Sequence, residues 1–203
     1  IFSNTRSFFE KIKSKPKFKK AVAVRTILKF KSDLNINEKR ISLMMGKNCH
    51  LVIYPINKNK ELKFVCTIRI NKYDPNQINT LTDKVLNQNF NLKKILGGNL
   101  KFWPLYSTSK ILPSSNNKVF YIGDAFNGFL PTFAQGAGQS IESSYELFNL
   151  LNEKKINIQN TYFQNRLKRV KIVRKRSNFN FFAFHLSSKV MQKIRNFFIK
   201  FLI

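Results

Sequence analysis

The residues best suited to chemistry lie between Tyr121 and Glu142, in the order Tyr-Ile-Gly-Asp-Ala-Phe-Asn-Gly-Phe-Leu-Pro-Thr-Phe-Ala-Gln-Gly-Ala-Gly-Gln-Ser-Ile-Glu. Four of the seven glycines, Gly123, Gly128, Gly136 and Gly138, fall in this stretch. An ionised Asp124 can accept hydrogen bonds from sugar or ribityl hydroxyls, and the glycines permit close backbone approach and positive φ. A helix opening near Gly138 would present free N–H groups and the positive end of its dipole to an anion. Such an anion could be a phosphate, or electron density at one edge of a reduced ring. Read from the residues, the pattern suits a cofactor carrying negative charge and polyol hydroxyls. A Gly-Asp pair by itself is more often a turn or a helix cap.

Presenting that loop requires an element before it and one after. Residues 119–122, Val-Phe-Tyr-Ile, read as a compact apolar strand. Ile141, Tyr145, Phe148 and Leu151 recur at helical spacing and predict the following helix, with these four as its apolar face. Phe163, Leu167, Val170 and Val173 predict a second helix. Val190, Ile194, Phe197 and Phe201 predict a third, with Lys189, Lys193 and Lys200 beside them. Upstream, apolar and β-branched runs at 21–30, 41–45, 50–56 and 62–70 are separated by Gly46-Lys47-Asn48 and Asn57-Lys58-Asn59-Lys60, both turn-forming compositions. They predict an antiparallel meander. Thr80 with Asp83 resembles a capping box for a helix with Leu81, Val85 and Leu86 on its apolar face, ended by Gly97-Gly98. The expected class is α+β: a mixed, largely antiparallel sheet, then the strand, loop and helices. The expected divisions are a connecting segment 1–20, a sheet domain 21–115, a cofactor strand, loop and helix 116–152, and C-terminal helices 153–203.

Against 37 Lys and Arg stand only 10 Asp and Glu, a formal charge of +27, yet 21 phenylalanines supply core-forming surface. Abundant Phe argues against simple disorder. Lys, Asn, Ile and Phe are enriched together, which is a compositional bias before it is a function. Two basic clusters rise above it, Lys11, Lys13, Lys15, Lys17, Lys19 and Lys20, and Arg166, Lys168, Arg169, Lys171, Arg174, Lys175 and Arg176. No recognised nucleic-acid motif accompanies them. No run approaches the ~18 apolar residues of a membrane span. Cys49 and Cys66 form neither a disulfide framework nor a zinc pattern, which suits a reducing cytoplasm. The first residue is Ile1, without an initiator Met or the apolar core of a signal peptide, so the sequence is expected to be part of a longer chain.

The 121–142 stretch closely resembles the second FAD-binding motif of flavin-dependent aromatic hydroxylases, a pattern of G-D-A-x-H, then P, x-Q-G and E-D. Trp103-Pro-Leu-Tyr106 is similar to the salicylate hydroxylase-like branch, beside which stand the ubiquinone-biosynthesis hydroxylases. Tyr162, Arg166 and Arg169 resemble the Y-x-x-x-R-x-x-R stretch that follows, and residues 1–6, Ile-Phe-Ser-Asn-Thr-Arg, look like the family's x-x-S-x-x-R segment. The resemblance implies that Asp124 binds ribityl oxygen, that Gly123 lets the chain pass close, and that Pro131 lies beside the isoalloxazine. Backbone groups of Gly136, Ala137 and Gly138 would face the pyrimidine edge of the flavin. Two positions depart from the pattern: Asn127 stands where the family has His, and Ser143 where it has Asp. The implied chemistry is hydroxylation of an aromatic substrate with FAD, NAD(P)H and oxygen. The dinucleotide-binding fingerprint, G-x-G-x-x-G, is expected upstream of Ile1, and the 203-residue segment alone is expected to be inactive.

Two functional alternatives come from other readings: a basic nucleic-acid-binding module, and a flavoprotein of the same fold that oxidises without hydroxylating. Tyr54 is a candidate substrate contact from the sheet, as are Arg25 and Trp103, although a strand tyrosine is more often packing. His50 and His185 have no partner at ligand spacing in the sequence and are expected to be structural, so no metal is assigned. The third helix, basic and aromatic, could rest at the inner membrane surface or pack against the cofactor domain.

Overall fold

Among the described residues the apolar runs form five strands, with helices before, between and after them. A computed structural model describes residues 1–10, 16–29, 40–58, 60–90, 100–108, 110–153 and 156–202. The strands are β1 (Lys17–Lys29), β2 (Ser42–Gly46), β3 (Cys49–Ile56), β4 (Glu61–Arg69) and β5 (Lys101–Ser107). The helices are α1 (Asn4–Glu10), α2 (Ile78–Phe90), α3 (Gly123–Phe126), α4 (Gly136–Asn152), α5 (Ile158–Phe184) and α6 (Lys189–Leu202). Contacts divide them into two units, residues 1–19 with 106–181, and residues 20–105 with 182–203.

In the sheet unit the strand order is β2-β3-β4-β1-β5. The predicted meander holds for β2, β3 and β4, but β1 lies beside β4, not beside β2 as a simple meander requires. Its register, Val22 opposite Ile68 and Val24 opposite Cys66, is antiparallel. Leu51 stands opposite Cys66 and Ile53 opposite Phe64 on the next pair. Directly opposed residues share a face, so Val22, Val24, Leu51, Ile53, Leu62, Phe64, Cys66 and Ile68 make one apolar layer, every member at most 3% exposed. Cys49 belongs to the same layer, and both cysteines are free, buried thiols. Burial pushes the Cys49 thiol up to about 12 and raises that of Cys66 as well, so both are protonated and unreactive in the fold. Burying a side chain such as Phe64 contributes about 1.5–3 kcal/mol.

The β2–β3 hairpin turns through Lys47 and Asn48, where Asn48 adopts φ +58, a conformation its side chain tolerates. Asn89 near the end of α2 accepts the Lys47 N–H at 2.8 Å and tethers the hairpin. Helix α2 begins at Ile78, so Thr80 lies inside it and the predicted capping box is corrected. Asp74 instead turns the chain ahead of the helix, its carboxylate accepting the Asn76 N–H at 2.9 Å. The buried side of α2 is the i, i+4, i+8 row Ile78, Thr82 and Leu86; Leu81 lies about 100° away from Thr82 and faces outward. Gly97-Gly98 lies outside the described residues, as do Lys11, Lys13 and Lys15.

In the other unit two expectations change. Residues 119–122 form no strand among the described residues, and Ile122, itself extended, is exposed. A strand is a pairing as well as a composition, and no described strand of this unit lies alongside. Helix α4 forms where predicted but presents Ile141, Tyr145, Phe148 and Leu151 to the outside, while Gln139, Ser143 and Leu150 are buried. Helix α5 buries Tyr162, Arg166, Val170, Val173 and Ser177. Tyr121, Phe126 and Val170 form the local apolar cluster, with Ile111, Val119, Ala125 and Phe163 packed against it.

Candidate cofactor site

The path from residue 121 to 142 is held from its inner side. Gly123 has φ +51, and a Cβ placed there would meet the Ser140 side chain, so only glycine lets the start of α3 approach α4. One turn later Asn127 closes α3, its N–H donating to Gly123 O at 3.0 Å. Thr108 then clamps Gly128 twice, its hydroxyl accepting the Gly128 N–H and its own N–H donating to Gly128 O, both at 2.8 Å. Pro131 opens a short 3-10 turn, Pro131–Phe133, whose fixed φ suits a first helical position. Below it the Ser177 hydroxyl donates to Leu130 O, and the Thr132 hydroxyl donates to Ser177 O at 2.6 Å.

Helix α5 grips α4 with charge. Arg166, 2% exposed, donates to Gln139 Oε1 at 2.7 Å and to Glu142 at 3.4 Å. Arg169 forms a two-pronged pair with the same carboxylate, Nε to Oε2 at 2.9 Å and Nη2 to Oε1 at 3.0 Å. Chiefly through Arg169, this holds the Glu142 carboxyl down at about 2. The Tyr162 hydroxyl donates to Tyr121 O at 2.8 Å. The three residues of the Y-x-x-x-R-x-x-R stretch thus bolt the motif in place. Arg174 donates to Thr108 O, and Arg176 lies over the Phe133 ring at 5.9 Å. Four of the seven basic residues in the second cluster are therefore engaged internally, which weakens the nucleic-acid reading.

Helix α1 holds the other side. The Arg6 guanidinium donates to the carbonyls of Ala125 at 2.9 Å, Phe126 at 3.3 Å and Lys110 at 2.9 Å, placing a cation at the C-terminal end of α3. Glu10 accepts from the Tyr121 hydroxyl at 2.9 Å. Sequence reasoning assigned Arg6 no role; its place in the x-x-S-x-x-R segment was the available signal. Thr108, Thr132 and Ser177 were missed outright, because lone hydroxyl residues carry no spacing signature.

The candidate cofactor residues lie on the outer side of this scaffold. Asp124, Pro131, Gly136 and Ala137 are exposed, and Gly123 and Gly138 are half-buried. The first hydrogen bond of α4 joins Gln139 N–H to Gln135 O at 2.8 Å. The N–H groups of Gly136, Ala137 and Gly138 precede it and have no intrahelical acceptor. A Cβ at Gly136 would meet nothing within 4 Å. Asn127 is 2% exposed, and neither its Oδ1 nor its Nδ2 has a hydrogen-bond partner. An orphaned buried amide, an exposed carboxylate and an open row of backbone donors fit a polar, anionic cofactor.

Tyr54 belongs to the other unit. It is half-buried and stands opposite Lys63, as does Ile27 on the far side, which puts the three on the less buried face of the sheet. On that unit a cavity of about 350 Å³ is lined by Arg25, Thr26, Ile27, Lys63, Lys101 and Trp103. Tyr54 is not among its lining residues; Arg25 and Trp103 are, the guanidinium 5.5 Å from the indole centroid. Arg25 Nε is buried without a hydrogen-bond partner. His50 and His185 meet in the same unit, Nδ1 to Nε2 at 3.1 Å, and burial lowers His50 to about 3, which fits their structural assignment. Among the described residues no group of three metal-ligating side chains occurs.

A uric-acid- and FAD-bound HpxO from Klebsiella pneumoniae superposes with a TM-score of 0.77 over 94% of the chain, at 13% identity, covering 52% of that structure. This is the fold of the FAD-dependent hydroxylases. A salicylate hydroxylase substrate complex matches this hydroxylase fold with a TM-score of 0.69, 19% identity, and 89% and 52% coverage of the two chains. In sequence the chain is 24% identical over 168 residues to the 3-amino-4-hydroxybenzoate 2-monooxygenase PtnB3 of Streptomyces platensis. That match takes in 77% of the chain but 42% of the relative, so the chain spans less than half the length of this hydroxylase. No family model matches.

Proposed function

We propose that the protein acts as a flavin-dependent monooxygenase, its 121–142 segment supplying part of the FAD site. The observation that carries this reading is the sorting of the motif. Its polar and charged anchors are held by Arg6, Arg166 and Arg169, whereas Asp124, Pro131, Gly136 and Ala137 stay open on the outside and Gly138 is half-buried. Asp124 would accept hydrogen bonds from ribityl hydroxyls. The free N–H groups of Gly136, Ala137 and Gly138, at the positive end of α4, would favour negative charge on the ring edge. Pro131 would pack flat beside the ring, and Asn127 would donate or accept one further polar contact. When bound, FAD supplies the redox chemistry, with NAD(P)H as reductant and oxygen as oxidant.

The substrate class we assign is an aromatic ring bearing an anionic group. Support comes from the sheet cavity, where Arg25, Lys63 and Lys101 supply positive charge beside the flat indole of Trp103. Tyr54 would play a lesser part at the edge of that face. The free buried thiols fit a reducing, cytoplasmic setting.

The test is flavin titration of the protein carrying this chain, with and without Asp124→Ala. Loss of a charge-assisted hydrogen bond weakens FAD binding about tenfold or more. Equal affinity of the folded variant would remove Asp124 from the site. Isotopically labelled dioxygen distinguishes hydroxylation, which places label in the product, from oxidation, which does not.

A further inference from the structure

We infer that α6 is a docking helix for an anionic membrane surface, lying flat with its aromatic face in the headgroup region. The inference is independent of the flavin reading. Helix α6 is fastened to its own unit along one side only. Gln192 donates to Leu186 O at 2.7 Å, Arg195 donates to Ala183 O at 3.1 Å, and Ile199 is half-buried between them in helical position. At 100° per residue these three span about 60° of the helix.

The opposite side is apolar and open. Val190, Met191, Ile194, Phe197, Phe198 and Phe201 fall within an arc of about 120°. They are 66, 41, 45, 59, 62 and 76% exposed. The Phe197 ring touches those of Phe198 and Phe201, centroids 5.9 and 4.9 Å apart, so the aromatics satisfy one another without being covered. Lys189, Lys193 and Lys200, all exposed, line one border of this arc. Lysines there can reach phosphate oxygens while the rings beside them enter the acyl boundary.

Charge selects the occupant. No Asp or Glu follows Glu153 in the sequence, while Lys and Arg recur to Lys200. On α6 itself the exposed Lys189, Lys193 and Lys200 carry this excess and attract the helix to anionic lipid. Nucleic acid would use the lysines but leave six large apolar side chains in water. A second copy of the helix would bury the apolar arcs but oppose like charges. Fourteen residues rise about 21 Å, too short to cross a bilayer. No described helix is long and apolar enough to do so.

Co-sedimentation of the 203-residue chain with phosphatidylcholine vesicles, with and without one-third phosphatidylglycerol, tests the inference at low and at high salt. Binding to the anionic vesicles at low salt, absent from neutral vesicles, is expected. Replacing Lys189, Lys193 and Lys200 by Gln weakens partitioning about a hundredfold, and Phe197→Ser with Phe198→Ser and Phe201→Ser abolishes it, with circular dichroism unchanged. The inference is overturned if the intact chain stays in the supernatant, or if the serine variant still pellets. It is equally overturned if the chain pellets without vesicles in a way the serine variant prevents, which would mark α6 as a self-association surface.

Discussion

The motif unit and the sheet unit are held together by different forces. In the sheet unit, nine side chains from two antiparallel strand pairings form a dry apolar layer. In the motif unit the elements are fastened by charged and hydroxyl side chains reaching backbone carbonyls and one shared carboxylate. Apolar packing is tolerant of exchange but costly to hollow out, whereas directional polar anchors fix position at a smaller gain each. A segment that must offer backbone N–H groups outward at defined positions calls for the second kind of fastening.

The largest effect is expected from Phe64→Ala. A cavity in the sheet layer costs about 3–5 kcal/mol, read from denaturant unfolding followed by the fluorescence of Trp103, the single tryptophan, which lies in that unit. A loss below ~1 kcal/mol would show that the layer does not carry the unit. Arg166→Met should cost less, about 2 kcal/mol, because it leaves buried Gln139 without its charged donor. Arg169→Met, at a 44% exposed side chain, should cost under about 1 kcal/mol. Equal losses for the two arginines would contradict the distinction drawn between buried anchor and surface pair.

Acid should separate the units. Folded His50 stays neutral down to about pH 3, whereas an unfolded histidine protonates near its ordinary 6.5. The unfolded chain therefore binds the extra proton between those values, and this contribution to stability, complete above about 6.5, is lost as pH falls toward 3. Glu142 runs from an ordinary 4.5 to about 2, so its contribution is lost only below about 4.5. The sheet unit should weaken first, seen as a Trp103 fluorescence change between about pH 6.5 and 4.5 that His50→Leu flattens. Hydrogen exchange in α4 should stay slow until lower pH. A simultaneous response in both probes would refute the assignment. Smallest of all in stability is Asp124→Ala, within about 0.5 kcal/mol because the side chain is exposed, while its flavin affinity falls.

How much of this was legible in the sequence depends on what each signal measures. Apolar spacing located α4, α5 and α6 because periodicity reports helix geometry. It did not tell which side of α4 is buried, since Ile141, Tyr145 and Phe148 record that a face is apolar and say nothing about what covers it. Polar residues took the inner side because Ser143 bonds back to Gln139 O and Gln139 meets Arg166. Strand composition likewise marked residues 119–122, but pairing depends on a neighbour. The outward set Asp124, Pro131 and 136–138 was named from the resemblance to the second FAD-binding motif. The inward set was not, because Arg6, Thr108 and Ser177 come from distant parts of the chain and act through backbone atoms that no residue type announces.

The two thiols of the sheet layer also equip the molecule with an internal clock. Cys49 and Cys66 sit on neighbouring central strands, both buried and both held protonated. A disulfide-exchange reagent near pH 8 can reach neither until β3 or β4 detaches, so the labelling rate is the opening rate times the intrinsic thiol reactivity. Mass spectrometry of partly labelled protein would then tell whether the strands open one at a time, giving singly modified species, or together, giving only unmodified and doubly modified chains.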